Sequence, residues 1–125
     1  MPSYLFDTSY IISLLNIADS NYHAATRDIS NLSGDFFINP TILAESYTVI
    51  NYKMGFPAIA ILEKFIEEMD IKIVWSNDTD HISFFKHLQW RISVADASVL
   101  YDSLKYGFQV LTFDQEMIQV QKSLI

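Results

Sequence analysis

The sequence predicts an α/β protein with three layers, in which a central parallel sheet lies between layers of helices. Short apolar runs alternate along the chain with longer segments that have the apolar spacing of helices, which is typical of βαβ units. Half of the 125 residues are hydrophobic and only three are proline, so the chain can form a substantial core. Right-handed crossovers then place the ends of the strands at one edge of the sheet.

The composition favours one domain over residues 1–125. The chain has no cysteine, which excludes disulfides, thiolate metal sites and cysteine nucleophiles. The uncharged run at residues 8–18 is shorter than the roughly 20 residues of a membrane span and lacks the basic start of a signal peptide. We therefore expect a soluble cytoplasmic protein. Its formal charge of −7 disfavours non-specific binding to polyanions unless bound cations offset it.

The first strand covers residues 3–6, which are apolar and aromatic. A helix follows at once, because apolar residues recur three and four positions apart: Tyr10, Leu14 and Ile17. The same spacing predicts a second helix from residue 22 to residue 32. Asp19 or Ser20 is placed to cap this helix, and the Ser-Gly pair that follows it ends it.

A second strand at residues 36–38 leads into the third helix. Asn39 has the character of an N-cap, and Pro40 stands at the first helical position, which is a favoured arrangement. Gly55 ends this helix. Pro57 then opens a fourth helix, whose apolar residues again have helical spacing: Ile61, Leu62, Phe65, Ile66 and Met69.

The C-terminal half repeats the alternation of strands and helices. Residues 71–75 are expected to form the third strand, and residues 78–88 the fifth helix. The motif Ser-Val-Ala-Asp at residues 93–96 has the form of a capping box, and it opens a helix that ends before Gly107. The last strand covers residues 109–113 and leads into a terminal helix.

Four carboxylates are expected to meet where strands end and helices begin. Asp7 and Asp114 directly follow apolar strands, and ligands of open parallel sheets bind outside this edge. Glu45 lies in the second turn of the third helix and Asp96 in the first turn of a later helix. Both helices follow strands, so they begin near the same edge. Taken alone, each acid has an ordinary explanation, an N-cap for the aspartates and a solvated helix surface for the glutamate.

A cluster of carboxylates repels itself unless protons or cations offset the charge. Mg²⁺ and Mn²⁺ prefer such oxygen ligands, and water bound to them is a nucleophile for phosphodiester hydrolysis. Thr8, Ser9 and Thr112 place hydroxyls nearby. The residues alone therefore leave two interpretations open, a metal-dependent hydrolytic site and a set of helix caps.

Five short segments carry a family resemblance: residues 5–9 (LFDTS), 19–25 (DSNYHAA), 43–45 (LAE), 92–97 (ISVADA) and 111–114 (LTFD). In this order and spacing they resemble the PIN domain family, specifically the short VapC-like toxins of type II toxin–antitoxin systems. The resemblance covers nearly the whole chain. Each segment is a weak signal by itself, and the ordered set is more specific.

The resemblance implies a metal-dependent endoribonuclease that hydrolyses RNA, with Mg²⁺ or Mn²⁺ held by four catalytic acids: Asp7, Glu45, Asp96 and Asp114. It also implies products with 5′-phosphate ends, a homodimer, and a cognate antitoxin protein as inhibitor. Thr8 is a possible supporting residue, Thr112 matches a frequent hydroxyl position before the last acid, and Glu116 falls where the family often has a further acid. Lys53 stands near the place of a common arginine.

Two other interpretations remain open. A receiver-like signalling domain has a similar length and order of elements, but Asp7 has no acidic neighbour and the middle strands end without a phospho-acceptor aspartate. A catalytically inactive PIN-fold binding protein is the other alternative, although all four acids are present. The three histidines, His23, His81 and His87, fit packing or surface roles better than catalysis.

Overall fold

The computed structural model describes residues 1–124, in which four strands alternate with seven α-helices. The strands are β1 (Ser3–Phe6), β2 (Asp35–Ile38), β3 (Lys72–Ile73) and β4 (Gln109–Leu111). The helices are α1 (Thr8–Leu15), α2 (Tyr22–Ser30), α3 (Pro40–Met54), α4 (Ile59–Glu68), α5 (Asp78–Leu88), α6 (Val94–Tyr106) and α7 (Gln115–Ser123), and a short 3-10 helix (Phe56–Ala58) precedes α4. Within this described part, no helix combines the length and apolar character that a membrane crossing requires.

The sheet is parallel throughout, with the strand order β3-β2-β1-β4. The inner strand β1 pairs on both sides, so that Leu5 lies opposite Phe37 of β2 and Val110 of β4. Because all strands run in one direction, their C-terminal ends lie at the same edge. Asp7 and Asn39 directly follow β1 and β2 at this edge. The predicted α/β class with a parallel sheet is confirmed.

Helices cover both faces of the sheet. On one face, the ring of Phe36 stacks on Tyr4 and Phe6, with centroid separations of 5.4 and 5.7 Å. Phe6 also contacts Tyr10 of α1 and Phe65 of α4. Side chains alternate between the faces along each strand, and α6 packs against β1 and β4. The core therefore lies between the sheet and its helices.

The ends of two N-terminal helices differ from the predicted ones. The first helix stops before Asn16, whose backbone is extended, and Ile17 is exposed in the following loop. Asn21 is the residue that precedes α2, so the expected cap at Asp19 or Ser20 is wrong. The carboxylate of Asp19 instead accepts a hydrogen bond from the backbone N–H of Asn21 at 2.8 Å, which stabilises the turn before the helix.

The two outer strands are shorter than predicted. β3 has two residues because it pairs only with β2, which itself ends at Ile38. β4 stops at Leu111, since the backbone N–H of Phe113 turns away to donate to Ser9 Oγ at 3.3 Å. The fourth helix begins two residues after Pro57, because the 3-10 turn comes first.

Candidate active site

A pocket of about 390 Å³ lies at the C-terminal edge of the sheet. All four predicted acids line it: Asp7, Glu45, Asp96 and Asp114. They come from the end of β1, from α3, from the first turn of α6 and from the loop between β4 and α7. The fold therefore brings together carboxylates that are far apart in the sequence.

Asp7 is buried, with 3% of its surface exposed, and two hydroxyls hold its carboxylate. Ser9 Oγ and Thr112 Oγ1 each donate to Oδ2 at 2.7 Å. Asp7 stands at the N-cap position of α1, but its side chain makes no capping hydrogen bond. The carboxylate is therefore oriented by hydroxyls rather than used as a helix cap.

Thr112 connects Asp7 to the fourth acid of the pocket. Its hydroxyl donates to Asp7 and accepts the backbone N–H of Asp114 at 3.0 Å. Asp114 Oδ1 accepts the N–H groups of Glu116 and Met117 at 3.0 and 3.2 Å, so this side chain caps α7 as well as lining the pocket. The structural and functional interpretations of Asp114 are thus compatible.

The electrostatics of the pocket are most evident at Asp96. Its backbone N–H donates to Ser93 Oγ at 3.0 Å, as the predicted capping motif requires. Burial, followed by the charges of Asp7 and Asp114, raises the pKa of Asp96 from 3.8 to about 6. Hydrogen bonds from Ser93 lower this pKa only in part. The negative charges are therefore close enough to repel one another, and a cation would relieve that repulsion.

The four carboxylates of the pocket are suitable ligands for a divalent cation, although they are not close enough together to coordinate one ion. Among residues 1–124, no three Asp, Glu or His side chains stand close enough to form a complete metal site. The four carboxylates surround the pocket, and they offer the oxygen ligands that Mg²⁺ and Mn²⁺ prefer. The raised pKa of Asp96 gives this pocket an electrostatic reason to take up a cation.

The structure brings some of the remaining predicted residues to the pocket and leaves others outside it. Thr8 lines the pocket, and its buried hydroxyl has no hydrogen-bond partner within residues 1–124. Glu116 is exposed and is not brought to the pocket. Asp19, expected only as a helix cap, also lines it, and Ser13 Oγ donates to its carboxylate at 3.1 Å. Lys53 is the one basic residue among those lining the pocket in the described part of the chain.

The PIN domain sequence profile matches residues 4–123. The chain belongs to the PIN domain family. No protein with a curated description matches it in sequence. The structure of VapC20 from Mycobacterium tuberculosis, described as a sarcin–ricin loop cleaving toxin, is similar, with a TM-score of 0.82, 19% identity and 93% of each chain covered. PAE2754 from Pyrobaculum aerophilum is similar with a TM-score of 0.67 and 18% identity, over 99% of this chain and 90% of that one.

With sequence identities of 19% and 18%, the two similar structures show a common fold. The chemistry of this PIN domain depends on its own residues.

One wall of the pocket is aromatic. Phe113 lines the pocket and stacks on Tyr10 at a centroid distance of 5.1 Å, with 8° between the rings. The hydroxyl of Tyr10 donates to Asp28, and burial together with this carboxylate raises the pKa of Tyr10. The wall next to Asp114 is therefore held by stacking and by a hydrogen bond to α2.

Proposed function

We propose that the protein is a metal-dependent endoribonuclease that hydrolyses phosphodiester bonds in RNA, and that it is the toxin of a toxin–antitoxin pair. The observation that carries this proposal is the presence of four carboxylates around one pocket of a PIN domain. The similarity to VapC20, a toxin described as cleaving the sarcin–ricin loop, supports RNA as the substrate and an antitoxin as the partner.

In the proposed mechanism, Asp7, Glu45, Asp96 and Asp114 would hold Mg²⁺ or Mn²⁺, which when bound would lower the pKa of a water molecule and offset negative charge on the phosphate. The hydroxyls of Ser9 and Thr112 fix the orientation of the Asp7 carboxylate. The N-terminal N–H groups of α7 hold Oδ1 of Asp114. Lys53 is the basic side chain placed to bind a phosphate of the substrate.

The wider properties of the protein are also proposals. We infer a homodimer from the family resemblance, and a cytoplasmic location and a single domain over residues 1–125 from the length and composition of the chain. The toxin role has its own test, the reading frame beside the gene. A small DNA-binding protein encoded there, which relieves growth arrest when it is co-expressed, is the expected finding. Growth that is unaffected by expression of the chain alone would contradict a toxin.

The nuclease activity is tested with purified protein, structured RNA and Mn²⁺, with and without EDTA. Cleavage is expected to require Mn²⁺ and to be lost in Asp7→Asn and in Asp96→Asn. Glu68→Gln is the matched control, because it removes one carboxylate charge from an exposed position on α4. Cleavage that survives EDTA and both pocket substitutions would exclude the metal mechanism.

The second candidate is a PIN-fold binding protein without catalysis. It is favoured by the finding that no three carboxylates within residues 1–124 stand at the spacing of metal ligands. Titration calorimetry with Mn²⁺ distinguishes the two candidates. A nuclease binds Mn²⁺ and loses this binding in Asp7→Asn, whereas affinity for RNA without metal binding, unchanged by EDTA, would favour the binding protein.

A further inference from the structure

A buried polar network joins the two helices that carry Glu45 and Asp96. At its centre is Asp102 of α6, which has no exposed surface. Asn39 Nδ2 and Ser76 Oγ donate to Asp102 Oδ2 at 3.0 Å each. His81 Nε2 lies 3.0 Å from Asp102 Oδ1, which is within hydrogen-bond distance. Asn39, Ser76, His81 and Asp102 lie outside the lining of the active-site pocket.

Asn39 connects this network to α3. Its Oδ1 accepts the backbone N–H of Ile42 at 2.8 Å and so caps the helix that carries Glu45. Its Nδ2 donates to Asp102 and also to Ser98 Oγ at 3.0 Å, and both of these residues belong to α6. One buried amide therefore uses its oxygen to begin α3 and its nitrogen to hold α6.

We propose that Asp102 is a positioning residue that sets, through Asn39, the separation between the Glu45 and Asp96 carboxylates. This proposal rests on the proposed function of the pocket. The two helices follow different strands, so neither local sequence nor the sheet ladder determines how α3 lies against α6. The network supplies that constraint, since it bonds the N-cap residue of α3 to the interior of α6.

The energetics of Asp102 point the same way. A carboxylate with no exposed surface loses its hydration, and its hydrogen bonds restore only part of that loss. An apolar side chain at this core-facing position of α6 would avoid the loss, as Leu100 and Val99 do nearby. A directional, multiply bonded side chain instead fixes one arrangement of its neighbours. A site whose carboxylates come from separate helices requires the relative position of those helices to be fixed.

The first experiment compares Asp102→Asn with wild type. The substitution keeps the size of the side chain but replaces one accepting oxygen by a donor, which cannot receive all the present hydrogen bonds. We expect kcat to fall and the half-saturating Mn²⁺ concentration to rise, each about tenfold, with KM for RNA unchanged. Leu62→Ala is the control, because it opens a cavity in the core beneath α4, away from the network. It should lower Tm without moving the Mn²⁺ dependence.

A change in Tm alone for Asp102→Asn, with the Mn²⁺ dependence of wild type, would overturn the positioning role. Asn39→Ser provides a second variant if Asp102→Asn does not fold. Serine retains an oxygen that caps α3 but lacks the amide that donates to Asp102. The same loss of kcat and the same rise in half-saturating Mn²⁺ are expected, and wild-type values for this variant would equally overturn the role.

A measurement that needs neither metal nor catalysis separates this proposal from the nuclease assignment. The chain has no cysteine, so spin labels attach only at the positions introduced in the Glu45→Cys/Asp96→Cys double variant. We expect electron paramagnetic resonance to show a broader distance distribution when Asp102→Asn is added. An unchanged distribution would overturn the positioning role even in an active nuclease. Broadening in the labelled protein, when the unlabelled wild type cleaves no RNA, would leave the role standing and remove the proposed function.

Discussion

Replacement of Asp96 by asparagine is expected to stabilise the protein when EDTA removes divalent cations. The carboxylate of Asp96 is half-buried beside the pocket, where the charges of Asp7 and Asp114 act on it. Asparagine has nearly the same shape, and the backbone hydrogen bond to Ser93 Oγ does not depend on the side chain. The substitution therefore removes the cost of burying a charge, together with the repulsion by Asp7 and Asp114, and retains the start of α6.

The magnitude follows from the pKa of Asp96. Each unit of pKa corresponds to about 1.4 kcal/mol of free energy. A rise in the pKa of Asp96 from 3.8 to about 6 therefore means that the folded protein disfavours the charged form by about 3 kcal/mol. Screening by water and salt at a half-buried group reduces this to about 1–2 kcal/mol. For a domain of this size each kcal/mol raises Tm by about 3–6 °C. The gain is therefore about 3–12 °C at pH 7.5.

The sign depends on pH. Between the unfolded and folded pKa of Asp96, the folded protein binds more protons than the unfolded chain, so wild-type stability falls as pH rises through this range. The advantage of Asp96→Asn should therefore be absent below about pH 4 and complete above about pH 7. Thermal unfolding followed by circular dichroism in EDTA, from pH 3.5 to pH 8, measures this difference.

Asp78→Asn is the matched control, because Asp78 also lies in the first turn of a helix but is exposed and outside the pocket. Its loss should cost about 0.3–1 kcal/mol through the helix dipole. Addition of Mn²⁺ should then raise the Tm of wild type more than that of Asp96→Asn, because the variant lacks the charged carboxylate of Asp96 as a ligand. A lower Tm for Asp96→Asn at every pH, or an equal gain at pH 3.5 and pH 8, would refute the assigned repulsion.

Three further substitutions test other contacts. Thr112→Val removes the hydroxyl between Asp7 and Asp114, and we expect a roughly tenfold lower kcat with unchanged KM; full activity would show that this hydroxyl does not orient Asp7. Gly34→Ala places a Cβ 2.2 Å from the carbonyl oxygen of Pro2 at a φ of +150°, so urea unfolding should show a loss of at least about 2 kcal/mol, and wild-type stability would contradict the close approach. Lys53→Gln should weaken RNA binding and reduce the slope of log affinity against log salt by about one, whereas an unchanged slope would exclude a phosphate contact.

The ends of α3 and α6 were predictable from the sequence. Asn39 caps α3 and Ser93 caps α6 as expected, because a cap acts on backbone groups three residues away. Gly55 and Gly107 end their helices with positive φ, which glycine adopts without steric cost. The outer strands were predicted too long, because the length of a strand depends on the neighbour it pairs with and not on its own apolar run.

The four acids were predicted to lie at one edge of the sheet, and in the structure they line one pocket, of whose other residues only some were predicted. Asp7 and Asp114 could be placed at one edge because parallel strands share a direction. Lys53 could not be placed beside them, since its position depends on how α3 lies over the pocket. The histidine at position 81 and its partner Asp102 carry no local signal, because apolar neighbours do not reveal which buried polar groups meet.

The sequence by itself determined the α/β class, the order of its elements, the caps of α3 and α6 and the edge at which the acids stand. These features depend on neighbouring residues and on strand direction. Only the tertiary structure decided that Thr112 holds the carboxylate of Asp7, that burial and two other acids raise the pKa of Asp96, and that Asp102 links α3 to α6. Hydrogen bonds and charge repulsion change steeply with the distance between groups, and for residues on separate elements that distance is set by packing.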